Sequence, residues 1–207
     1  MKCKICIADY GCGNTKSIFN AIKYLGYKTI ISGKNKDISE SSHLILPGVG
    51  SFSNAVDKIK SNLDLKFIKK NIFEDNKPIL GICVGMQALG TYGFEFKKCK
   101  GLDWIEGKVT RMKNNPNILP QIGWNNLNII SKNNKLFDNI DERDFFYFVH
   151  SFKFNPKNKN EILANTKYNE IFSSVILKKN IIGVQFHPEK SQISGLKLLK
   201  NFIENFK

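Results

Sequence analysis

Three residues have the types and the setting for acyl-transfer chemistry: Cys83, His187 and Glu189. Cys83 lies in ILGICVGMQAL (79–89), where an apolar run stops and a helix-like run begins. Gly81 and Gly85 stand two residues to either side of it. A buried cysteine in a strand is ordinarily a small hydrophobe. The G-x-C-x-G spacing has instead the form of a nucleophile elbow, a sharp strand-to-helix turn that glycines leave uncrowded. At a helix N-terminus the dipole favours thiolate over thiol. The Val84 N–H, next along the chain, is placed to donate to an oxyanion. The elbow alone specifies only a generic nucleophile.

A cysteine nucleophile needs a base and a group to orient that base. Of three histidines, His43 opens the run HLIL and reads as structural, and His150 ends the aromatic run FFYFVH. His187 follows an apolar run in IIGVQFHPEKS, with Glu189 two residues on. A turn at Pro188 would bring Glu189 back to the imidazole, giving a Cys–His–Glu triad in that chain order. An isolated H-x-E is usually a turn histidine beside a solvated glutamate. Here it occurs with the elbow, each at the C-terminal end of an apolar strand, the edge where open α/β sheets build sites. PGVGSF (47–52) ends at the same edge. Gly48, Val49 and Gly50 could bring backbone amides close to a ligand as a second part of an oxyanion hole. By itself that segment would read as a plain strand-to-helix turn.

The elements that must hold these groups follow from periodicity. ICIAD (5–9), KTIIS (28–32), HLIL (43–46) and PILGI (78–82) are strand-like. SIFNAIKYLGY (17–27) places Ile18, Ala21, Ile22 and Leu25 on one helical face and ends at Gly26. Residues 54–73 predict a helix broken near Asn62, and VGMQALGTYG starts another. This alternation predicts an open, mostly parallel, doubly wound α/β sheet flanked by helices. In the C-terminal half, KVTRM, NLNII, FFYFVH, EILANT, IFSSVIL and IIGVQF predict an additional antiparallel or mixed section. SGLKLLKNFIENF (194–206) closes the chain as an amphipathic helix. Residues 1–207 read as a single domain, with no repeat or linker.

Composition narrows the classes. Net charge is +14, but all basic residues except Arg111 and Arg143 are lysines, spread along the chain. Nucleic-acid readout leans on the arginine fork, so a solvated lysine-rich surface is the better account and no nucleic-acid partner is expected. No run approaches the ~20 apolar residues of a membrane span, and no secretory signal is evident. The cytoplasm is the expected location. Cys3, Cys6, Cys12, Cys83 and Cys99 show no disulfide framework, and an offset of three along a strand points Cys3 and Cys6 to opposite faces, against a metal site.

PGVGSF, GICVGMQ and GVQFHPEKS, in this order and spacing, resemble the class I glutamine amidotransferases. DYGCGNTKSI, IGWNN (122–126), YFVHSF (147–152) and GLKLLKNF (195–202) extend the likeness over nearly the whole chain, to the HisH glutaminase subunit of imidazole glycerol phosphate synthase. The resemblance implies glutamine hydrolysis by Cys83, His187 and Glu189, with the oxyanion held by amides of Gly48–Gly50 and Val84. Gln87, Gly50 and the His150, Ser151 and Phe152 segment match positions that bind glutamine. Asn14, Trp124 and Lys190 match positions facing a (β/α)8 cyclase partner of the HisF type, to which ammonia is delivered for histidine biosynthesis. No metal or cofactor is implied. The inactive state is expected to rest on a misoriented PGVG peptide. Gln121, where the family usually has histidine, and the segment 91–107 resemble paralogues that supply ammonia for amidating surface-polysaccharide sugars. A rival from another class is an inactive scaffold or regulatory subunit. A stand-alone cysteine peptidase fits the paired PGVG and HPE motifs poorly.

Overall fold

The computed structural model describes residues 4–114 and 118–207. Cys3 lies outside the described residues. Its neighbour Cys6 is buried and donates to the Ser32 carbonyl at 3.6 Å. Burial, with the charge of Asp37, pushes its thiol up to about 11.

The first half reads β1 (Lys4–Ala8), α1 (Thr15–Tyr24), β2 (Lys28–Ser32), α2 (Asn35–Glu40), β3 (His43–Leu46), α3 (Phe52–Asn62), α4 (Leu65–Phe73), β4 (Ile79–Ile82) and α5 (Val84–Ala88). The helix break expected near Asn62 falls between α3 and α4, where Asp64 accepts from the Phe67 N–H and caps α4. The second half contains β5 (Tyr92–Gly93), β6 (Cys99–Lys100), β7 (Gly107–Arg111), β8 (Gln121–Asn126), β9 (Asn128–Ile129), β10 (Phe145–His150), β11 (Phe152–Pro156), β12 (Ile162–Lys167), β13 (Ile171–Lys178), β14 (Ile181–Val184) and α6 (Gln192–Asn205).

One sheet runs in the order β2-β1-β3-β4-β14-β13-β12-β9. Its first five strands pair in parallel, and the remainder are antiparallel. β3, β4 and β14 are buried along their whole length, as parallel strands covered on both faces must be. Ile18 and Ile22 of α1 and Leu198, Leu199 and Phe202 of α6 join one apolar cluster, while Val56 and Ile59 of α3 and Ile68 and Ile72 of α4 join another. Two smaller sheets, β10-β8 and β11-β7-β5-β6, complete the fold. The α/β class and the antiparallel C-terminal section are as periodicity predicts.

Two differences are informative. The helix expected from VGMQALGTYG ends at Ala88, because segment 101–105 captures its exit. The N–H groups of Leu102 and Ile105 donate to the Ala88 and Leu89 carbonyls, and those of Asp103 and Gly101 to Gly90 and Thr91. With its terminal carbonyls satisfied from outside, the helix has no reason to continue. α2 escapes periodicity altogether, since Ile38 is its only buried residue. Its C-terminal carbonyls, Ile38 and Ser39, are met by the buried Lys77 ammonium.

Candidate active site

β4 ends at Ile82, and the next residue turns sharply into α5. Cys83 has φ 53° and ψ −111°, a positive-φ conformation that a side-chain-bearing residue rarely adopts. Its N–H is tied to the Val184 carbonyl of β14 at 2.8 Å, and its side chain is almost wholly buried. The glycines around it are demanded by close approach. A Cβ on Gly85 would lie 2.0 Å from the Leu46 carbonyl oxygen, and one on Gly48 would lie 2.2 Å from the Gly85 nitrogen. Backbone therefore packs on backbone, which seats segment 47–50 directly against the start of α5.

β14 leads through Gln185 and Phe186 to His187, whose N–H donates to the Tyr147 carbonyl of β10. A 3-10 turn, Pro188–Lys190, then folds Glu189 back. Glu189 Oε1 lies 2.9 Å from His187 Nδ1, with both side chains buried. A carboxylate only accepts, so Nδ1 carries the proton and Nε2 is the nitrogen left for Cys83. Burial works against the imidazolium, but hydrogen bonding to Cys83 and Glu189, with their charges, outweighs it and pushes His187 up to about 10.

A loop after β1 braces this arrangement. Tyr10 donates its hydroxyl to the Pro47 carbonyl at 2.5 Å, and Cys12 Sγ donates to the Val49 carbonyl at 3.3 Å. Asn14 Nδ2 reaches Glu189 Oε1 at 3.4 Å. Asn14, expected at a partner surface, thus also touches the carboxylate beside His187.

Cys83 and His187 open onto a cleft of about 320 Å³, a size suited to a small polar ligand. Val49, Gly50, Val84, Gln87 and the His150–Phe152 segment line it as well, whereas Glu189, Asn14, Trp124 and Lys190 do not. Gly48 does not line it and lies behind, against Gly85. His150 Nδ1 pairs with the Phe152 carbonyl at 2.8 Å, which makes it the protonated nitrogen. Its buried Nε2 is a lone pair without a partner among the described residues. Burial lowers His150 to about 4, so its ring is neutral. His43 lies apart, its Nε2 bonded to the Phe206 carbonyl and its ring edge-on to Phe202.

Sequence reasoning missed two residues. Glu95 lines the cleft while its Oε2 accepts from the Phe52 N–H, fixing the carboxylate at the head of α3. Gln185, fully buried, accepts from Gln87 Nε2 at 3.0 Å and donates to Cys83 Sγ at 3.7 Å. Glu95 carries no local signal, because a loop of mixed character presents it. Gln185 stands in the quoted motif IIGVQFHPEKS, and its burial was the missing clue.

Beside the cleft, β8 and β10 turn one apolar face outward. Trp124 pairs with Tyr147 and Ile122 with Val149 across the strands. Trp124 is 47% and Ile122 64% exposed, and Phe145 is exposed as well. Lys190 lies over the Tyr147 ring, 5.6 Å from its centroid.

Comparisons with known proteins cover nearly the whole chain. The family profile of class I glutamine amidotransferases matches residues 6–206. An imidazole glycerol phosphate synthase subunit HisH 2 from Methanococcus maripaludis is 43% identical over 201 residues, covering 97% of this chain and 98% of its own. Subunit HisH from Pelagibacter ubique is 39% identical and subunit HisH 1 from Campylobacter jejuni 40%, each covering 96% of this chain and 98% of its own. In fold, the chain is similar to PurLQS of Thermotoga maritima, with a TM-score of 0.77 at 19% identity and full coverage of both chains.

Proposed function

The chain belongs to the class I glutamine amidotransferases, among the HisH glutaminase subunits, and from that premise we propose that it hydrolyses glutamine to supply ammonia to an imidazole glycerol phosphate synthase in histidine biosynthesis. The observation that carries the site assignment is the cysteine in a strained elbow sharing one cleft with a carboxylate-bound histidine.

Cys83 Sγ, its proton already held on His187 Nε2, attacks the side-chain amide carbon of glutamine. Glu189 holds the ring by Nδ1–H and balances the imidazolium. Backbone N–H groups of Val84 and of the Gly48–Gly50 segment receive the oxyanion. His187 returns the proton to the departing nitrogen, ammonia leaves, and a γ-glutamyl thioester remains. Water, deprotonated by His187, then attacks the thioester carbon. Glutamate is released, the electron pair returns to the sulfur, and His187 keeps the proton it took from water. The neutral His150, with its free Nε2 lone pair, and Gln87 suit the polar groups of glutamine, and the Glu95 carboxylate suits its α-ammonium. The exposed face bearing Trp124 and Tyr147 is continuous with the cleft through Val149, which supports a docked cyclase that covers the site and takes up the ammonia.

The test is reconstitution with a histidine-pathway cyclase and measurement of glutaminase activity with and without the cyclase's own substrate. Stimulation is expected, and Cys83→Ala should abolish glutamate release while ammonia-dependent synthesis survives. Normal glutamate release from that variant sinks the nucleophile assignment. Stimulation by a sugar-amidating partner instead moves the ammonia to the paralogous use that the resemblance at Gln121 implies. An intact chain that no partner stimulates favours the scaffold reading.

A further inference from the structure

We propose that Gln185 is a positioning residue for the nucleophile: its side-chain amide, oriented by a relay that begins at the Phe152 carbonyl, donates an N–H to Cys83 Sγ. The inference rests on the reading of Cys83 as the nucleophile.

An amide side chain has an oxygen end and a nitrogen end of nearly equal shape, so its direction must be argued from partners. Here a backbone group decides it. The Phe152 carbonyl can only accept, so the group of Gln87 that lies 2.9 Å from it is the NH2. The same NH2 lies 3.0 Å from Gln185, which must therefore present its oxygen. With its oxygen committed, Gln185 has only its NH2 left to face Cys83, at 3.7 Å. Reversing either amide would set two donors or two acceptors against each other. The backbone of Gln185 is fixed as well, its N–H bonded to the Ser174 carbonyl at 2.9 Å.

The other titratable groups around the sulfur give it no competing donor. Tyr10 and Cys12 approach from the loop after β1, His150 and Glu95 line the cleft, and Glu189 stands behind His187. The Tyr10 hydroxyl is spent on the Pro47 carbonyl, Cys12 on Val49, and the His150 proton on Phe152. Among the described residues, His187 and Gln185 are the side chains whose hydrogen bonds reach Cys83.

The division of labour follows. His187 exchanges a proton with the sulfur, whereas the amide of Gln185 cannot and stays a fixed dipole. It favours the sulfur when the sulfur is negative, before attack and again as the thioester breaks and the electron pair returns to it. It contributes little while the sulfur is held in the neutral thioester.

Alkylation of Cys83 by iodoacetamide, followed across pH by peptide mass mapping of the full chain, tests this without glutamine. In Gln185→Met the pH midpoint should move to alkaline values, and alkylation at pH 7 should slow about tenfold, the size of one hydrogen bond to a charged group. In the complex, kcat for glutamine should fall with KM held. Gln87→Leu removes the orienting NH2 and should move the midpoint the same way by less. A folded Gln185→Met with the wild-type midpoint overturns the proposal, as does a Gln87→Leu midpoint that is unmoved or shifted to acid. Should Gln185→Met not fold, Gln87→Leu decides. A wild-type chain that no partner induces to hydrolyse glutamine would sink the glutaminase reading, yet the alkylation midpoints would still judge Gln185.

Discussion

Burial and pairing leave the two histidines of the cleft in opposite charge states. His150, held at about 4 by burial, is a group that the unfolded chain protonates first as pH falls below its ordinary 6.5. The stability it contributes is present above 6.5 and is lost toward pH 4. His187, raised to about 10, works the other way: its contribution is complete below 6.5 and is lost as pH climbs to 10. Urea midpoints measured from pH 4 to 10 should therefore show His150→Asn with a flatter acid limb and His187→Asn with a flatter alkaline limb. Wild-type slopes in both would refute the protonation states. Strain at Cys83 gives a second test. With φ at 53°, Cys83→Gly should be about 1–2 kcal/mol more stable than Cys83→Ala by thermal unfolding, although neither should hydrolyse glutamine. Equal stability would mean the elbow stores no strain. At this scale the sequence was most legible, because Cys83, His187 and Glu189 are short-range patterns. Gln185 and Glu95 were not, because their roles depend on partners more than 40 residues away in the chain.

The elements carry the site by contact between backbones. β3 and β4 lie side by side, and the turns that leave them touch where Gly48 meets Gly85. Gly85→Ala would drive a methyl into the Leu46 carbonyl. It should destabilise by about 3 kcal/mol or more and remove glutamine hydrolysis, read by urea denaturation and a glutamate assay. A variant of wild-type stability would show that the two turns do not need this proximity. Gly50 is different. It has open space around its missing Cβ but φ of +84°, so Gly50→Ala should cost only about 1 kcal/mol, through the backbone alone. Strands and amphipathic helices were readable from periodicity. The early end of α5 was not, because what stops it is a segment 13 or more residues farther on, donating to its carbonyls.

For the whole molecule, the parallel half of the sheet supplies the edge on which Cys83 and His187 meet, from the adjacent strands β4 and β14. Their adjacency, across 100 residues of chain, is what a doubly wound topology provides and what no local pattern encodes. The outward face of β8 and β10 makes a prediction about assembly. Trp124→Ala should weaken binding of the cyclase partner by about 2 kcal/mol, roughly thirtyfold, in a titration of the two subunits. Undiminished affinity would place the partner elsewhere. The loop after β1 has a mechanical consequence. Tyr10 pins the carbonyl of Pro47 and Cys12 that of Val49, while among the described residues no hydrogen bond holds the Gly48 carbonyl or the Val49 N–H between them. A peptide unit fastened at both ends and free in the middle behaves as a crankshaft. It can spin about its long axis and reverse its dipole while the chain on either side stays still.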